Sequence, residues 1–436
     1  MRNRCCYGLS ALLLLVTQTS LSGDAPLNPA AAKPAFAQAR QLCEADHGQL
    51  WGISLCGPAM LVDPATRDVI ASEKDASGVL HAADGVFAGS LPKDVPVANT
   101  SVSWSGTRWI QYLWPLPDDD ALRRVLLAHE SFHRVQDQLG LAAANADNPQ
   151  LDTLEGRYDL QLEWRALAAA LQAHDDAARR AHVADALAFR ADRYRRFPSA
   201  RAAEAALERN EGLAEYTGVM VGMPTASERQ AMALRDLQRH VHDQSFVRSF
   251  AYATGPAYGL LLDNYRPGWH DEVRHGAYPA DLLAKSLGLS LDKAPSSAKR
   301  AALAARYDGK ALWAAETRRQ QERDRLIAAY RSALISGHVL VLPLRHPRVQ
   351  FDPRNLVPIG ANGTVYPTMQ ASDDWGHIEV QQGCLLASDW SWLTVAAPSG
   401  EEGSHISGPG WKLELAPGWH LAKGSRAGDM VVAKSD

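Results

Sequence analysis

The sequence is poor in several features that usually announce a function. No charge of one sign dominates: Lys and Arg total 45 against 49 Asp and Glu, a formal net charge of −4 over 436 residues. A general nucleic-acid binder carries a basic surplus or patch, so that class is set aside. Cysteine is scarce, with five residues, which excludes a disulfide-dense scaffold. No apolar stretch reaches the roughly 20 residues that a membrane span needs, so no stable membrane insertion is expected. The Gly-rich phosphate loop with its Lys-Ser/Thr is missing, and so is a Gly-x-Ser-x-Gly elbow. There is no internal repeat and no low-complexity tail. What remains is an ordinary globular composition, 46% hydrophobic and 22% charged. That excludes disorder or a collagen-like structure for the chain as a whole.

The first 23 residues read as a leader. Arg2 and Arg4 make a basic start, a mostly apolar run extends from Leu9 to Val16, and small polar residues follow from Thr17 to Gly23. This is the order of a secretory signal peptide, with cleavage near Ser22 to Ala25 and a periplasmic or secreted destination. A buried N-terminal helix is the alternative. Cys5 and Cys6 would leave with the leader. Cys43 and Cys56 close a short loop that an oxidising compartment would allow to be bridged; two buried thiols are the other reading. Cys384 reads as a small buried hydrophobe rather than a nucleophile.

Along the mature chain the character changes three times. Residues 24–38, rich in Ala and Pro, read as a linker. Residues 39–117 read as β-rich, with Ser105-Gly106 between two strand-like runs as a hairpin turn. From 118 to 337 the chain is helical and Ala-rich, opened by the potential N-caps Asp118, Asp119 and Asp120. From 338 to 436, Gly, Pro, Trp and short apolar runs predict a small β-rich domain. The order predicts an α+β fold. Trp104, Trp109 and Trp114 are expected mainly in the core, and the strand at 109–114 could also form an edge to which an extended peptide adds.

One motif carries chemistry. His129-Glu130-Ser131-Phe132-His133 has the form H-E-x-x-H, for which a chance match in this composition is expected on the order of 0.02 times. Residues four apart share a helical face, so both imidazoles can reach one Zn²⁺. Glu130 beside them can act as general base toward the attacking water. The bland alternative is a helix whose two histidines only pack. A catalytic zinc needs a third protein ligand as well; Glu155, Glu163, Glu204, Glu208 and Glu211 are candidates. Glu204, Glu208, Glu211 and Glu215 fall on one helical stripe, which a solvated charged face would also produce.

Glu211 stands in Asn210-Glu-Gly-Leu-Ala-Glu-Tyr216. H-E-x-x-H followed on another helix by Glu and an acid four residues later resembles the gluzincin branch of zinc metallopeptidases, over roughly Val97 to Leu262. The resemblance implies a zincin-like helical block. It makes Glu211 the third ligand, with Glu163 in its apolar setting as rival, and Glu215 the partner that supports a ligating His. That family more often has Asp at the latter position. Tyr252-Ala-Thr-Gly255 is similar to the Tyr-x-x-Gly segment of gluzincin aminopeptidases, whose Tyr binds the oxyanion. Thr254 stands where those enzymes often have Lys, and Tyr258 is the reserve. His240, His242, His270 and His275 share no motif and read as surface or structural. The expected activity is hydrolysis of a peptide or protein substrate by a zinc metallopeptidase. A secreted binding or scaffold protein, and a zinc hydrolase of non-peptide amides or esters, are the alternatives.

Overall fold

The computed structural model describes residues 26–142, 144, 146–351 and 355–435. The expected leader, with Cys5 and Cys6, lies outside the described residues. The fold is α+β, with a β-rich N-terminal part, a helical middle and a β-rich C-terminal part. No described helix is long and apolar enough to cross a membrane. The chain forms two compact units. The first holds the chain through Gln138 plus Met220–Pro224, and the second holds Leu139–Val219 and everything from Thr225 onward.

The first unit opens with a helix where a linker was expected. Helix α1 spans Pro29–Asp46. The Asn28 side chain caps it by accepting from Ala31 N, Pro29 sits at its start, and Ala is the best helix former. Pro29 is tolerated because it lies in the first turn, where its missing N–H has no partner to lose, whereas Pro34 stands inside the helix and costs it one backbone hydrogen bond. Buried Ala32, Ala35, Phe36, Ala39 and Leu42, spaced by three and four, make its inner face.

Six strands form one sheet in the order β3-β4-β2-β1-β6-β5. They are β1 (Ala59–Val62), β2 (Asp68–Ala71), β3 (His81–Ala83), β4 (Val86–Ser90), β5 (Thr100–Trp104) and β6 (Thr107–Leu113). The β1–β6 pair is parallel and the remaining pairs are antiparallel. The β5–β6 hairpin turns on Ser105 and Gly106, both at positive φ (50° and 76°), as a two-residue turn with right-handed strand twist requires. The period-2 alternation separates two cores. Leu61, Ile70, Val86, Ile110 and Tyr112 meet α1 and Leu127 on one face. Met60, Val62, Val69, Val102 and Trp109 fill the other.

The strand proposed as a peptide-accepting edge, at 109–114, is not an edge. It is β6, enclosed between β1 and β5, and the outer strand on that side is β5. Trp109 is fully buried, as a core residue should be, whereas Trp104 and Trp114 are only partly covered.

Cys43 and Cys56 are bridged, with Cα atoms 5.1 Å apart. The loop they close carries Trp51, which is buried and packs its ring 5.2 Å from that of Phe132.

The second unit begins with a helical hairpin, α3 (Leu154–Gln172) and α4 (Asp176–Arg196), capped at Thr153 and Asp175. It fills the interval between the H-E-x-x-H motif and Glu211. Then follow α5 (Ala200–Leu207), one π-helical turn at Glu208–Gly212, α6 (Leu213–Gly222), α7 (Ala226–Arg239) and α8 (Ser249–Tyr265). Shorter helices α9 (Trp269–Arg274), α10 (Pro279–Ser286) and α11 (Ser297–Arg306) lead to α12 (Gly309–Arg331). Only Gly309, Leu312 and Glu316 are buried on α12.

Two antiparallel-rich sheets of seven and six strands complete the second unit. Leu340 and Val395 from one, and Ile378 and Leu413 from the other, share a single core with Trp375 and Trp411. Cys384 is buried in that core, and burial pushes its thiol well above the usual range.

Replacing Cys43 and Cys56 together by serine is expected to lower the unfolding free energy of the first unit by about 3 kcal/mol in the chain-entropy description. A urea titration followed by tryptophan fluorescence, with Trp51 as a reporter on the affected loop, measures it.

Candidate metal centre

The motif lies on helix α2, Asp120–Val135. Asp119 caps it by accepting from Leu122 N at 3.1 Å, as the acidic run predicts. The two inner positions of the motif anchor the helix. Ser131 Oγ donates back to Leu127 O at 2.8 Å, and Phe132 packs against Trp51. Arg134, one residue beyond the motif, donates to Cys56 O at 3.1 Å and so ties the helix to the disulfide loop. With those residues committed, His129 and His133 share a separate face.

Their Nε2 atoms are 3.1 Å apart. Two nitrogen ligands about 2.0–2.1 Å from a tetrahedral zinc lie about 3.3 Å from each other, so the observed separation fits one shared ion. Glu130 Oε1 is 3.9 Å from His129 Nε2, and ligand atoms of all three residues lie within 4.8 Å of one another. His129 and Glu130 are each only 3% exposed. Two imidazoles at this separation, with a buried carboxylate beside them, could hold a metal ion.

Gln136 completes the arrangement, and sequence reasoning missed it. Its Oε1 lies 2.8 Å from His133 Nδ1, so the ring donates there and turns the Nε2 lone pair toward His129. The available signal was positional: Gln136 is one helical turn after His133, on the same face. Ser101 of β5 adds a second anchor by donating to His133 O at 3.0 Å.

The other predicted residues belong to the second unit, where they sort into two groups. Glu163 is fully buried between two guanidinium groups. Its Oε1 accepts from Arg190 Nε and from Tyr258 OH, each at 2.8 Å, and its Oε2 lies 2.8 Å from Arg193 Nη2. Burial opposes the charged carboxylate, but Arg190 and Arg193 outweigh it and hold the Glu163 carboxyl below its ordinary value. Two guanidinium groups and a hydroxyl already surround this carboxylate, so the rival ligand stands as a counter-ion. Tyr258 belongs to the same cluster, and burial drives its hydroxyl well above the usual range. Glu155, the first of the candidate ligands, is exposed on the first turn of α3.

The carboxylate stripe is not a solvated face, because Glu204, Glu208, Glu211 and Glu215 are all buried. Arg193 grips Glu204 through Nε at 2.8 Å and Nη2 at 2.7 Å. Arg190 grips Glu208 through Nη1 at 2.8 Å and Nη2 at 2.5 Å. Glu211, 8% exposed, is held differently. Its Oε2 accepts from Tyr252 OH at 2.7 Å, and its Oε1 lies 3.2 Å from Arg248, whose side chain is 54% exposed. The structure thus brings the expected ligand and the expected oxyanion donor together. Glu215 is buried one turn further along.

The local cause is a backbone contact. A Cβ built on Gly255 would stand 2.1 Å from Gly212 O, so only glycine lets α8 approach the π turn this closely. His240 is structural, as expected. Its Nδ1 lies 2.6 Å from Asp243 Oδ2, and its ring is 6.2 Å from that of Tyr252. A second group with metal-ligand spacing, His346, Asp373 and Asp374, is more exposed. There Asp373 already accepts the backbone N–H groups of Arg345 and His346, as a turn cap does.

No known family matches this chain, and neither a curated protein nor a solved structure matches it. The likeness to gluzincins therefore rests on the motif residues themselves.

Glu163→Ala leaves two buried cations short of a partner and is expected to destabilise the second unit by about 3–5 kcal/mol while leaving the zinc content of the purified protein unchanged. Because the folded carboxyl titrates below its unfolded value of about 4.3, the contribution of Glu163 is complete above that value. It fades as pH falls through the depressed one. Urea unfolding of the wild type and the variant between pH 3 and 7, with metal analysis alongside, tests both points.

Proposed function

We propose that the protein is an exported zinc metallopeptidase. The observation that carries this reading is the convergence of His129 and His133 Nε2 beside a buried Glu130. His129 and His133 would hold zinc through Nε2, with Gln136 fixing the His133 tautomer. Glu211 is proposed as third ligand from its sequence motif, with Glu215 in support. When bound, zinc supplies Lewis acidity at the scissile carbonyl and makes water a better nucleophile at neutral pH.

The remaining steps belong to the side chains. Glu130 accepts a proton from the attacking water and later delivers it to the departing amine nitrogen. Its near-complete burial limits competition from bulk solvent. Tyr252, whose hydroxyl donates to Glu211 in this structure, would turn that proton toward the oxyanion that forms on the substrate. Strand β5 lies at the sheet edge and is tied to His133 through Ser101. Its outer edge gives an extended peptide a place to add as a further strand. The intact Glu130 weighs against a non-catalytic scaffold, which would have no use for a base at that position. The leader expected over residues 1–23 supports export.

Glu130→Gln is expected to bind one equivalent of zinc and to lose hydrolysis of a mixed peptide library. Retained turnover would sink the mechanism, and a wild-type protein that takes up no zinc would sink the reading as a whole. Glu211→Ala is expected to lose most zinc affinity in equilibrium dialysis.

A further inference from the structure

The residue pattern around the π turn leaves one fact that the proposed chemistry does not use. Glu208 is the first residue of that turn, and Glu211, the proposed ligand, stands three positions on. Thr254 lies two positions after Tyr252 on α8. Its Oγ1 is 2.8 Å from Glu208 Oε1 and 2.9 Å from Phe250 O. A hydroxyl has one proton to give, and the charged oxygen is the stronger acceptor. The same carboxylate receives both Nη atoms of Arg190. Arg190 and Thr254 are fully buried, and Glu208 nearly so.

We propose that Glu208 and Thr254 are positioning residues for the Glu211–Tyr252 pair, one buried carboxylate joining the turn that presents the ligand to the helix that presents the oxyanion donor. The inference rests on the roles given above to Glu211 and Tyr252. Three features of the second unit converge on it. A π turn widens the helix by one residue and persists where local contacts hold it, often at functional sites. Here the holding contact is the Arg190 grip on its first residue. The close approach of Gly212 and Gly255 brings the two backbones together but carries no direction about a helix axis. The hydrogen bond from Thr254 supplies that direction. It also gives Thr254 a use, since a hydroxyl makes this short tie inside a cluster that already holds Arg190.

The test uses the full-length protein and three variants. Thr254→Val keeps the shape and removes the hydroxyl, and Glu208 stays paired with Arg190, so folding is retained. Thr254→Ser keeps the hydroxyl. Zinc affinity is measured against a competing chelator, kcat and KM on a mixed peptide library, and thermal melting as a control. Thr254→Val is expected to weaken zinc binding by about 10- to 100-fold, as removal of a residue supporting a metal ligand does. Its kcat should fall with KM nearly unchanged, its melting temperature should stay close to that of the wild type, and Thr254→Ser should restore zinc binding and turnover. Wild-type zinc affinity and kcat in Thr254→Val overturn the positioning role, and so does a failure of Thr254→Ser to rescue. Glu211→Ala keeps the two readings apart. Undiminished zinc binding there removes Glu211 as a ligand and this proposal with it. Loss of zinc there, beside wild-type behaviour of Thr254→Val, overturns the positioning role alone.

Discussion

Two guanidinium groups removed entirely from water set the terms for the second unit. Arg190 and Arg193 are 0% exposed, and even after relaxation each buried ion forfeits on the order of several kcal/mol of hydration. Their charge must be met by carboxylates at hydrogen-bonding distance, and Glu163, Glu204 and Glu208 meet it from two other stretches of chain. Burial disfavours both arginine cations, yet these acids hold them charged well beyond their ordinary range. Such a network is a weak source of net stability, because an apolar replacement of equal volume often does as well. Its value here lies in direction. The α3–α4 pair and α5 are rich in alanine, whose small side chains interlock in more than one register. A forked guanidinium accepts only one.

The first unit reaches order by other means. Its sheet has an apolar core on each face, and α2 is fastened to one of them by Leu127 and to the disulfide loop by Phe132 and Arg134. The polar residues of the motif are left to share the remaining side. Packing thus decides which way the helix faces, and hydrogen bonds from Gln136 and Ser101 refine a single ring and a single carbonyl.

The legible parts of the sequence were those whose cause is local. H-E-x-x-H fits within little more than one helical turn, so its geometry follows from helix period alone. The Ser105-Gly106 hairpin and the Asp119 cap are local too. Helix α1 is hard to read from sequence because Pro34 weighs against a strong alanine signal and the Asn28 cap. Which strand forms the edge is not legible locally, because sheet order depends on β1 pairing in parallel with β6, as Ala59 does with Ile110 far along the chain. The carboxylate stripe looked equally like a wet surface, since the arginines that make its burial tolerable come from α4. The same distance concealed the fate of Glu163.

Helix α12 has a mechanical meaning beyond its thin burial. At about 1.5 Å per residue its 23 residues extend about 35 Å. Near its start, Glu316 receives Arg157 and Gln161 from α3. Near its end, Ile327 and Tyr330 pack on the cluster formed by Leu334, Val357 and Leu385 of the β-rich part. One uninterrupted helix thus joins the helical and β-rich parts of the second unit, and its middle is held as well: Arg319 donates to the carbonyls of Asp243 and Gln244, Gln320 accepts from Arg157, and Arg323 donates to Asp152. A rod held along its length in this way resists bending. The rod ends where its pitch changes, at the π turn Ser332–Ser336, so those five residues are the coupling between a shaft and the β-rich part it carries.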